Sequence, residues 1–177
     1  GDYRIEAVEP AAFGDFIGRL RERGYRGANV TIPHKEQALA RSIPDARARA
    51  VGAANTLYFV DDELHSTNTD VEGFISNLDA SAPGWDRAQE ALVLAAGGSS
   101  RAVIFGLLER GIARVHLANR TAERAQVLAK QFGDRVSVLD WSDVGATLPR
   151  AGLLVNTTSL GMKGQPPLDI DLARLPS

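Results

Sequence analysis

The sequence predicts an α/β fold in two domains, the second of them built on a parallel sheet. From residue 91 onward, apolar strand segments and helical segments alternate at the spacing of βαβ units, whose crossovers are right-handed. Before residue 80, helical and strand patterns also occur, but their order includes a hairpin. The segment Ser81-Ala82-Pro83-Gly84 interrupts the pattern between the two parts. We therefore place the domains at residues 1–82 and 83–177.

In the first domain, an amphipathic helix and a hairpin have the clearest signals. The helix has apolar side chains at the i, i+3, i+4, i+7 spacing, namely Phe13, Phe16, Ile17 and Leu20. Gly24 ends it, and the pair Asp61-Asp62 forms the hairpin turn. The predicted elements are a helix at 10–23, a strand at 26–32, a short helix from His34, a helix at 44–52, strands at 55–60 and 63–68, and a helix at 70–78 with Asp70 as its N-cap.

In the second domain, strand and helix patterns alternate regularly, and glycines mark the ends of the helices. Gly111 and Gly133 each end a helical pattern. The predicted elements are strands at 91–96, 114–118, 135–139 and 152–156, with helices at 100–110 and 121–132. This alternation predicts a parallel sheet with crossover helices.

Composition and charge exclude several classes of protein. Of the 177 residues, 44% are hydrophobic and 24% are charged, as in a soluble globular protein. The net charge of −2 provides no broad basic field for nucleic acid. No apolar run reaches the ~18–20 residues that span a bilayer, and no signal-peptide pattern or cysteine is present. We expect a cytoplasmic protein that binds neither nucleic acid nor membrane.

Two charged residues follow strand ends in the first domain. Lys35 stands just after the β-rich run Asn29–Ile32, where Pro33 blocks ladder pairing and fits the first turn of a helix. Asp70 opens the next helix after a second strand. Taken alone, such a lysine is usually a solvated surface residue and such an aspartate is usually a cap. Together they form a candidate proton-transfer pair.

A glycine-rich turn joins the first strand and helix of the second domain. It contains Ala96, Gly97, Gly98 and Ser99. Small residues let a backbone approach a pyrophosphate, and the helix N-terminus offers free N–H groups and a positive dipole end. Many glycine pairs after buried strands only make tight connections. The position of this turn at the first βα junction favours a dinucleotide site and hence a Rossmann domain that binds NAD(P).

The end of the next strand favours NADP over NAD. An NAD enzyme places an acidic residue there for the ribose hydroxyls, whereas this chain has Asn119, Arg120 and Thr121, with Arg124 one turn further on. Two guanidinium groups attract a 2′-phosphate and can bind it bidentately. The alternative is that both arginines only solvate the start of a helix. We predict NADP(H) as the cofactor and no metal, because His34, His65 and His116 lack ligand spacing.

Six motifs together resemble the shikimate dehydrogenase family in order and spacing, over nearly the whole chain. They are Asn29-Val30-Thr31-Ile32-Pro33-His34-Lys35, Gly52-Ala53-Ala54-Asn55-Thr56, Asn68-Thr69-Asp70, Ala96-Gly97-Gly98, Asn119-Arg120-Thr121 and Asn156-Thr157-Thr158-Ser159-Leu160-Gly161-Met162. The resemblance implies a substrate domain followed by a Rossmann domain. It also implies reversible, NADPH-dependent reduction of 3-dehydroshikimate to shikimate, on the route to chorismate and the aromatic amino acids.

The resemblance also implies a role for individual residues. Lys35 and Asp70 match the family's catalytic lysine and aspartate, and Thr31 and Asn55 match groups that bind the substrate hydroxyls. The cofactor residues divide into three groups. They are the pyrophosphate turn of Ala96, Gly97, Gly98 and Ser99, the 2′-phosphate clamp of Asn119, Arg120, Thr121 and Arg124, and the nicotinamide side with Asn156, Thr158 and Met162.

Three departures from the family pattern stand out. Ala95 occupies the place of the first glycine of a Gly-Ala-Gly-Gly turn, which costs on the order of 1–2 kcal/mol if the residue needs a positive φ. Ser66 stands where a glycine usually precedes Asn-Thr-Asp. The family's opening strand, its serine-rich carboxylate motif and its C-terminal helices with a substrate-binding glutamine have no counterpart here, so we expect parts of the fold to lie outside this sequence.

Two alternatives remain open. One is a quinate/shikimate dehydrogenase that uses NAD or NADP. The other is a non-catalytic, NADP-binding regulatory module, although such a module has no need for the pair Lys35 and Asp70. The sequence is compatible with a monomer or a homodimer.

Overall fold

The computed structural model describes residues 1–176 and divides into two compact units. The first unit is Gly1–Thr69, and the second begins at Asp70. Each has its own sheet and apolar core. None of the helices in residues 1–176 has the length and apolar character needed to cross a membrane.

The first unit contains a mixed four-stranded sheet and three short helices. The strands are β1 (Gly27–Asn29), β2 (Ile43–Pro44), β3 (Thr56–Val60) and β4 (Glu63–Thr67), and the helices are α1 (Phe13–Gly18), α2 (Lys35–Ala40) and α3 (Ala46–Val51). The strand order is β1-β3-β4-β2. β3 pairs antiparallel with both β1 and β4, whereas β2 pairs parallel with β4.

The predicted hairpin is β3–β4. Asp61 and Asp62 have φ values of 45° and 74°. Positive φ at both central residues is the requirement of a type I′ turn, whose twist matches that of the flanking strands. Aspartate tolerates this conformation better than most residues.

The first helix is shorter than the sequence predicts. Of residues 10–23, only Phe13–Gly18 are α-helical, and turns lie on either side. Gly14 and Gly18 lie within this stretch, and each glycine costs about 1 kcal/mol relative to alanine in a helix. The prediction of which side chains face the core is nevertheless correct for Phe13, Ile17 and Leu20, which are buried in this unit.

The third helix begins later than the sequence predicts. Pro44 pairs with Ser66 in the sheet, and the helix starts at Ala46. Asp45 is the N-cap, since its carboxylate accepts the Ala48 N–H at 2.7 Å. Gly52 ends the helix with a φ of 75°.

The second unit is a parallel sheet with crossover helices, as predicted. It consists of α4 (Asp70–Ser81), β5 (Glu90–Leu94), α5 (Gly98–Glu109), β6 (Arg114–Ala118), α6 (Ala122–Phe132), β7 (Val136–Leu139), α7 (Val144–Thr147) and β8 (Leu153–Asn156). The strand order is β7-β6-β5-β8, with every pair parallel. The α/β prediction, with a parallel Rossmann-like second sheet, is confirmed.

The α4 helix belongs to the second compact unit, whereas the sequence places it before a boundary at 82/83. Phe74, Ile75 and Leu78 pack against the core of the second sheet. A Cβ added at Gly106 of α5 would lie 3.1 Å from the Ile75 side chain, so the two helices are in close contact. The break at residues 81–84 marks the end of this helix, and the division by contacts falls at Thr69/Asp70.

Candidate active site

Lys35 is the first residue of α2, and its side chain is only 8% exposed. The Ala54 N–H donates to the Lys35 carbonyl at 2.9 Å, and the neighbouring His34 ring stacks on Phe13 with centroids 4.3 Å apart. Lysine is rarely buried to this extent unless its charge has a role or a partner. Pro33 precedes the helix and does not form its first turn.

Asn55 organises the loop that leads out of β4. Its side-chain oxygen accepts the Thr69 N–H at 3.0 Å, and its side-chain NH₂ donates to the Thr69 hydroxyl at 3.0 Å. Asn68 donates to the Ala53 carbonyl at 2.9 Å and is almost fully buried. These bonds join the segment 53–55 to the segment 67–69. Asn55 therefore has a structural task in addition to its predicted role toward substrate.

The remaining predicted residues of the reaction centre are more accessible. Thr31 is exposed, and its carbonyl accepts the His34 N–H at 3.0 Å. Asp70 is half-buried. The sequence predicts it as the N-cap of α4, whereas in the structure it is the first residue of the helix itself, one position after the N-cap. A carboxylate in the first turn is still stabilised by the helix dipole. Lys35 lies in the first unit and Asp70 begins the second, so their pairing stays a prediction.

The glycine-rich turn connects β5 to α5. The Ala96 N–H donates to the side-chain oxygen of Asn119 at 3.2 Å, and Gly97 is the N-cap of α5. A Cβ added at Gly97 would meet nothing within 4 Å, so the space beside the turn is open. Ala95 has a φ of 85°, which shows that this position does require the conformation favoured by glycine.

Asn119 joins this turn to the end of β6. While its oxygen accepts from Ala96, its NH₂ donates to the Thr121 carbonyl at 2.7 Å. Arg120 and Arg124 are exposed beside it, and within residues 1–176 neither guanidinium takes part in an ion pair. Two accessible arginines at the start of α6 suit a phosphate group.

The loop after β8 is held by its own side chains. The Asn156 oxygen accepts the N–H and the hydroxyl of Thr158 at 2.9 and 2.7 Å, and its NH₂ donates to the Leu160 carbonyl at 3.0 Å. Met162 is 64% exposed. Sequence reasoning did not single out Ser100 or Thr157, although both carry hydroxyl groups next to predicted cofactor residues.

The residues predicted to bind the nucleotide therefore gather at one edge of the second sheet. The glycine-rich turn and Asn119 follow the carboxyl ends of β5 and β6, and Asn156 is the last residue of β8. The strand order reverses between β5 and β8, because the chain leaves β5 toward β6 and β7 and returns on the other side. Open α/β sheets bind ligands at such a switch point.

Comparison with known proteins identifies the family. The model of the shikimate dehydrogenase substrate binding domain matches residues 1–57, and that of shikimate/quinate 5-dehydrogenase matches residues 82–162. The chain belongs to the shikimate dehydrogenase family. The α4 helix lies between the two matched regions.

Curated members of the family are similar along the whole chain. The shikimate dehydrogenase (NADP(+)) of Afipia carboxidovorans is 73% identical over 175 residues, which cover 99% of this chain and 63% of that protein. The enzyme of the same name from Rhodopseudomonas palustris strain TIE-1 is 68% identical over 177 residues and is covered to 64%. The chain thus spans less than two thirds of the length of these relatives.

Solved structures of the shikimate dehydrogenase family share the fold. The enzyme of Aquifex aeolicus has a TM-score of 0.83 at 32% identity, with 95% of this chain and 61% of that chain covered. The Thermus thermophilus enzyme, solved in complex with NADP(H) and shikimate, has a TM-score of 0.79 at 35% identity, with 96% and 61% covered. A quinate dehydrogenase of Corynebacterium glutamicum in complex with NAD has a TM-score of 0.80 at 26% identity, with 98% and 63% covered.

Proposed function

We propose that this chain forms the substrate-binding and NADP-binding parts of a shikimate dehydrogenase. The reaction is the reversible, NADPH-dependent reduction of 3-dehydroshikimate to shikimate. The observation that carries the proposal is the glycine-rich turn at the switch point of the second sheet, in a chain 73% identical to a shikimate dehydrogenase (NADP(+)). The accessible turn and the two exposed arginines fit a dinucleotide that bears a 2′-phosphate.

In this proposal the protein supplies the proton and the geometry. NADPH, when bound, supplies the hydride for the substrate's carbonyl carbon. The Lys35 ammonium stabilises the negative charge that develops on the carbonyl oxygen and gives that oxygen a proton. Asp70 orients the ammonium group, and in the reverse direction the same pair accepts the proton. Thr31 and Asn55 bind substrate hydroxyls.

The cofactor residues divide by the part of NADP(H) that they contact. Gly98 and Ser99 present first-turn amides of α5 to the pyrophosphate. Arg120 and Arg124 bind the 2′-phosphate, with Asn119 and Thr121 shaping the loop between them. Thr158 and Met162 lie on the nicotinamide side. We propose a domain boundary near residue 82 for these two functions, although the α4 helix packs with the second unit.

A second candidate is a quinate/shikimate dehydrogenase that accepts NAD. The family model for residues 82–162 covers both activities, and the quinate dehydrogenase of Corynebacterium glutamicum has the same fold. The exposed guanidinium groups after β6 favour NADP, because no acidic residue stands there for the ribose hydroxyls of NAD.

The test is oxidation of shikimate by the full-length gene product, followed by the absorbance of NADPH. We expect turnover with NADP+, and slower turnover with NAD+ or quinate. Lys35→Ala should lower kcat by about 100-fold or more, since it removes the proton donor, while NADPH binding stays unchanged. Lys130→Ala, which alters an exposed lysine of α6, is the control. Absence of shikimate oxidation contradicts the proposal, whereas full activity of Lys35→Ala removes only Lys35 from the mechanism.

A further inference from the structure

Two hydroxyl groups in the second unit form a continuous hydrogen-bonded chain. The Gly97 N–H donates to the Ser100 hydroxyl at 3.0 Å, the Ser100 and Thr157 hydroxyls are 2.7 Å apart, and the Thr157 hydroxyl donates to the Leu94 carbonyl at 2.5 Å. This series of hydrogen bonds joins the end of β5, the first turn of α5 and the residue after β8.

The direction of every bond in this chain is determined. A carbonyl oxygen only accepts, so the single proton of the Thr157 hydroxyl points at Leu94. Ser100 must then donate to Thr157, and its oxygen accepts the Gly97 N–H. No proton in the chain remains for another group. The arrangement is thus a rigid link and not a proton donor to a ligand.

Burial makes the link specific. Ser100 is fully buried, and Thr157 is half-buried. A buried hydroxyl that loses its hydrogen-bond partner destabilises the folded protein, so the buried Ser100 depends on Thr157 as its acceptor. The Thr157 N–H also donates to the Leu94 carbonyl at 3.0 Å. This bond holds the residue after β8 beside the end of β5.

The link joins two regions that a dinucleotide would occupy. Gly97 is the N-cap of α5 in the pyrophosphate turn, and Thr157 stands between Asn156 and Thr158 on the nicotinamide side. Because Ser100 takes up the Gly97 N–H, the amides of Gly98 and Ser99 are the ones left in this turn to face a pyrophosphate.

We propose that Ser100 and Thr157 are positioning residues for the dinucleotide. They keep the pyrophosphate turn and the loop after β8 at a fixed distance from each other, so that both halves of NADP(H) can be bound at the same time. The inference rests on the proposed function, because it takes this turn to be the cofactor site. It predicts that the hydroxyl link matters for a complete dinucleotide and not for its adenosine half.

The test is calorimetric titration with NADP+ and, separately, with adenosine 2′,5′-bisphosphate, which lacks the pyrophosphate and the nicotinamide. Thr157→Val removes the hydroxyl at nearly constant size and should weaken NADP+ binding about tenfold, because the loop after β8 is then no longer held at the distance from the turn that the complete dinucleotide requires. Binding of the bisphosphate should not change. Thr157→Ser keeps the hydroxyl and should bind both ligands like the wild type.

The outcomes separate this inference from the proposed function. If the wild type binds neither ligand, the proposed function fails and the inference fails with it. If the wild type binds both but Thr157→Val leaves NADP+ binding unchanged, or weakens both ligands equally, only the inference is overturned. Ser100→Ala is the second variant and has the same expectation. If circular dichroism shows that both variants are unfolded, the hydroxyls serve the fold alone, which also overturns the inference.

Discussion

Ala95, which directly precedes the glycine-rich turn, has a backbone conformation that is unfavourable for a residue with a Cβ. Its φ of 85° belongs to the left-handed region, where a Cβ costs on the order of 1–2 kcal/mol. Its N–H donates to the Ala118 carbonyl at 2.8 Å, so the hydrogen bonding of the sheet holds the residue in this conformation. The strain lies next to the glycines of the turn and is compensated by the surrounding structure.

We expect Ala95→Gly to stabilise the second unit by about 0.5–1 kcal/mol. Relief of the positive φ outweighs the entropy that glycine adds to the unfolded chain. Urea denaturation measures the change. The control is Ala96→Gly at the next residue, where φ is not positive and the side chain is buried, so this substitution should destabilise. Equal destabilisation by both would show that Ala95 is not strained.

Arg120 determines the choice between NADP and NAD in our proposal. Arg120→Ala should weaken NADP+ binding by at least about tenfold and leave NAD+ binding nearly unchanged, because only NADP+ carries the 2′-phosphate. Titration of both cofactors measures the difference. Arg114→Ala is a matched control, since Arg114 is exposed at the opposite end of the same strand. Equal losses for both cofactors would mark Arg120 as a structural residue.

At the level of elements, a polar cluster ties three strands of the second sheet together. His116 of β6 is buried, its Nε2 is 2.9 Å from the Glu90 carboxylate of β5, and its Nδ1 is 3.0 Å from the Ser137 hydroxyl of β7. The hydrogen bond from His116 lowers the pKa of Glu90 below its ordinary value, with smaller contributions from the charges of His116, Arg150 and Arg114. The lowered pKa means that folding favours the ionised carboxylate.

This cluster predicts a pH dependence of stability. A carboxyl group with a lowered pKa in the folded state stabilises the fold above its unfolded pKa of about 4.3, and that contribution is lost as the pH falls through the folded pKa. The difference in free energy of unfolding between the wild type and Glu90→Gln should therefore shrink between about pH 6 and pH 3. Urea denaturation at several pH values measures it, with the exposed Glu109→Gln as control. A difference that does not vary with pH would exclude a role for Glu90 ionisation.

At the level of the whole molecule, residues 1–176 divide at Thr69/Asp70 into one unit with a single apolar core and a second unit with two apolar clusters. Besides its apolar contacts, α4 is joined to the second unit by polar ones. The Asp79 carboxylate accepts from Arg110 at 2.7 Å and from the Trp85 indole at 3.0 Å. These hydrogen bonds, that of Arg110 first, lower the pKa of Asp79. The helix is therefore part of the compact unit that contains the glycine-rich turn.

We expect a fragment of residues 70–177 to fold cooperatively and a fragment of residues 83–177 to be less stable by at least about 2 kcal/mol. The shorter fragment exposes the surface that Phe74, Ile75 and Leu78 cover. Full burial of one apolar side chain contributes about 1.5–3 kcal/mol, and each of these three is partly buried. Thermal and urea denaturation compare the two. If they are equally stable, the boundary at 82/83 is also the boundary of the folding unit.

The order of elements in the second unit was predictable from the sequence. Its central strands β5 and β6 are buried in a parallel sheet and hence read as apolar runs, and Gly111 and Gly133 mark the turns where helices end. The turn at Gly97 and Gly98 was predictable for a related reason, since a close backbone approach requires small residues. Apolar runs, helix ends and tight turns depend on the residues within one short segment, so the sequence of that segment is enough to predict them. The first unit was less predictable, because its helices are only six residues long and depend on packing.

What the sequence by itself determined was the α/β class, the regular alternation of the second unit and the positions of the candidate residues along the chain. Only the tertiary structure decided that α4 packs with the second sheet, that Ala95 has a positive φ, and that Ser100 meets Thr157. Each of these depends on groups far apart in sequence, such as Ile75 with Gly106 or Gly97 with Thr157 through Ser100. Periodicity reports which face of a segment is apolar, but it does not report which distant surface covers that face.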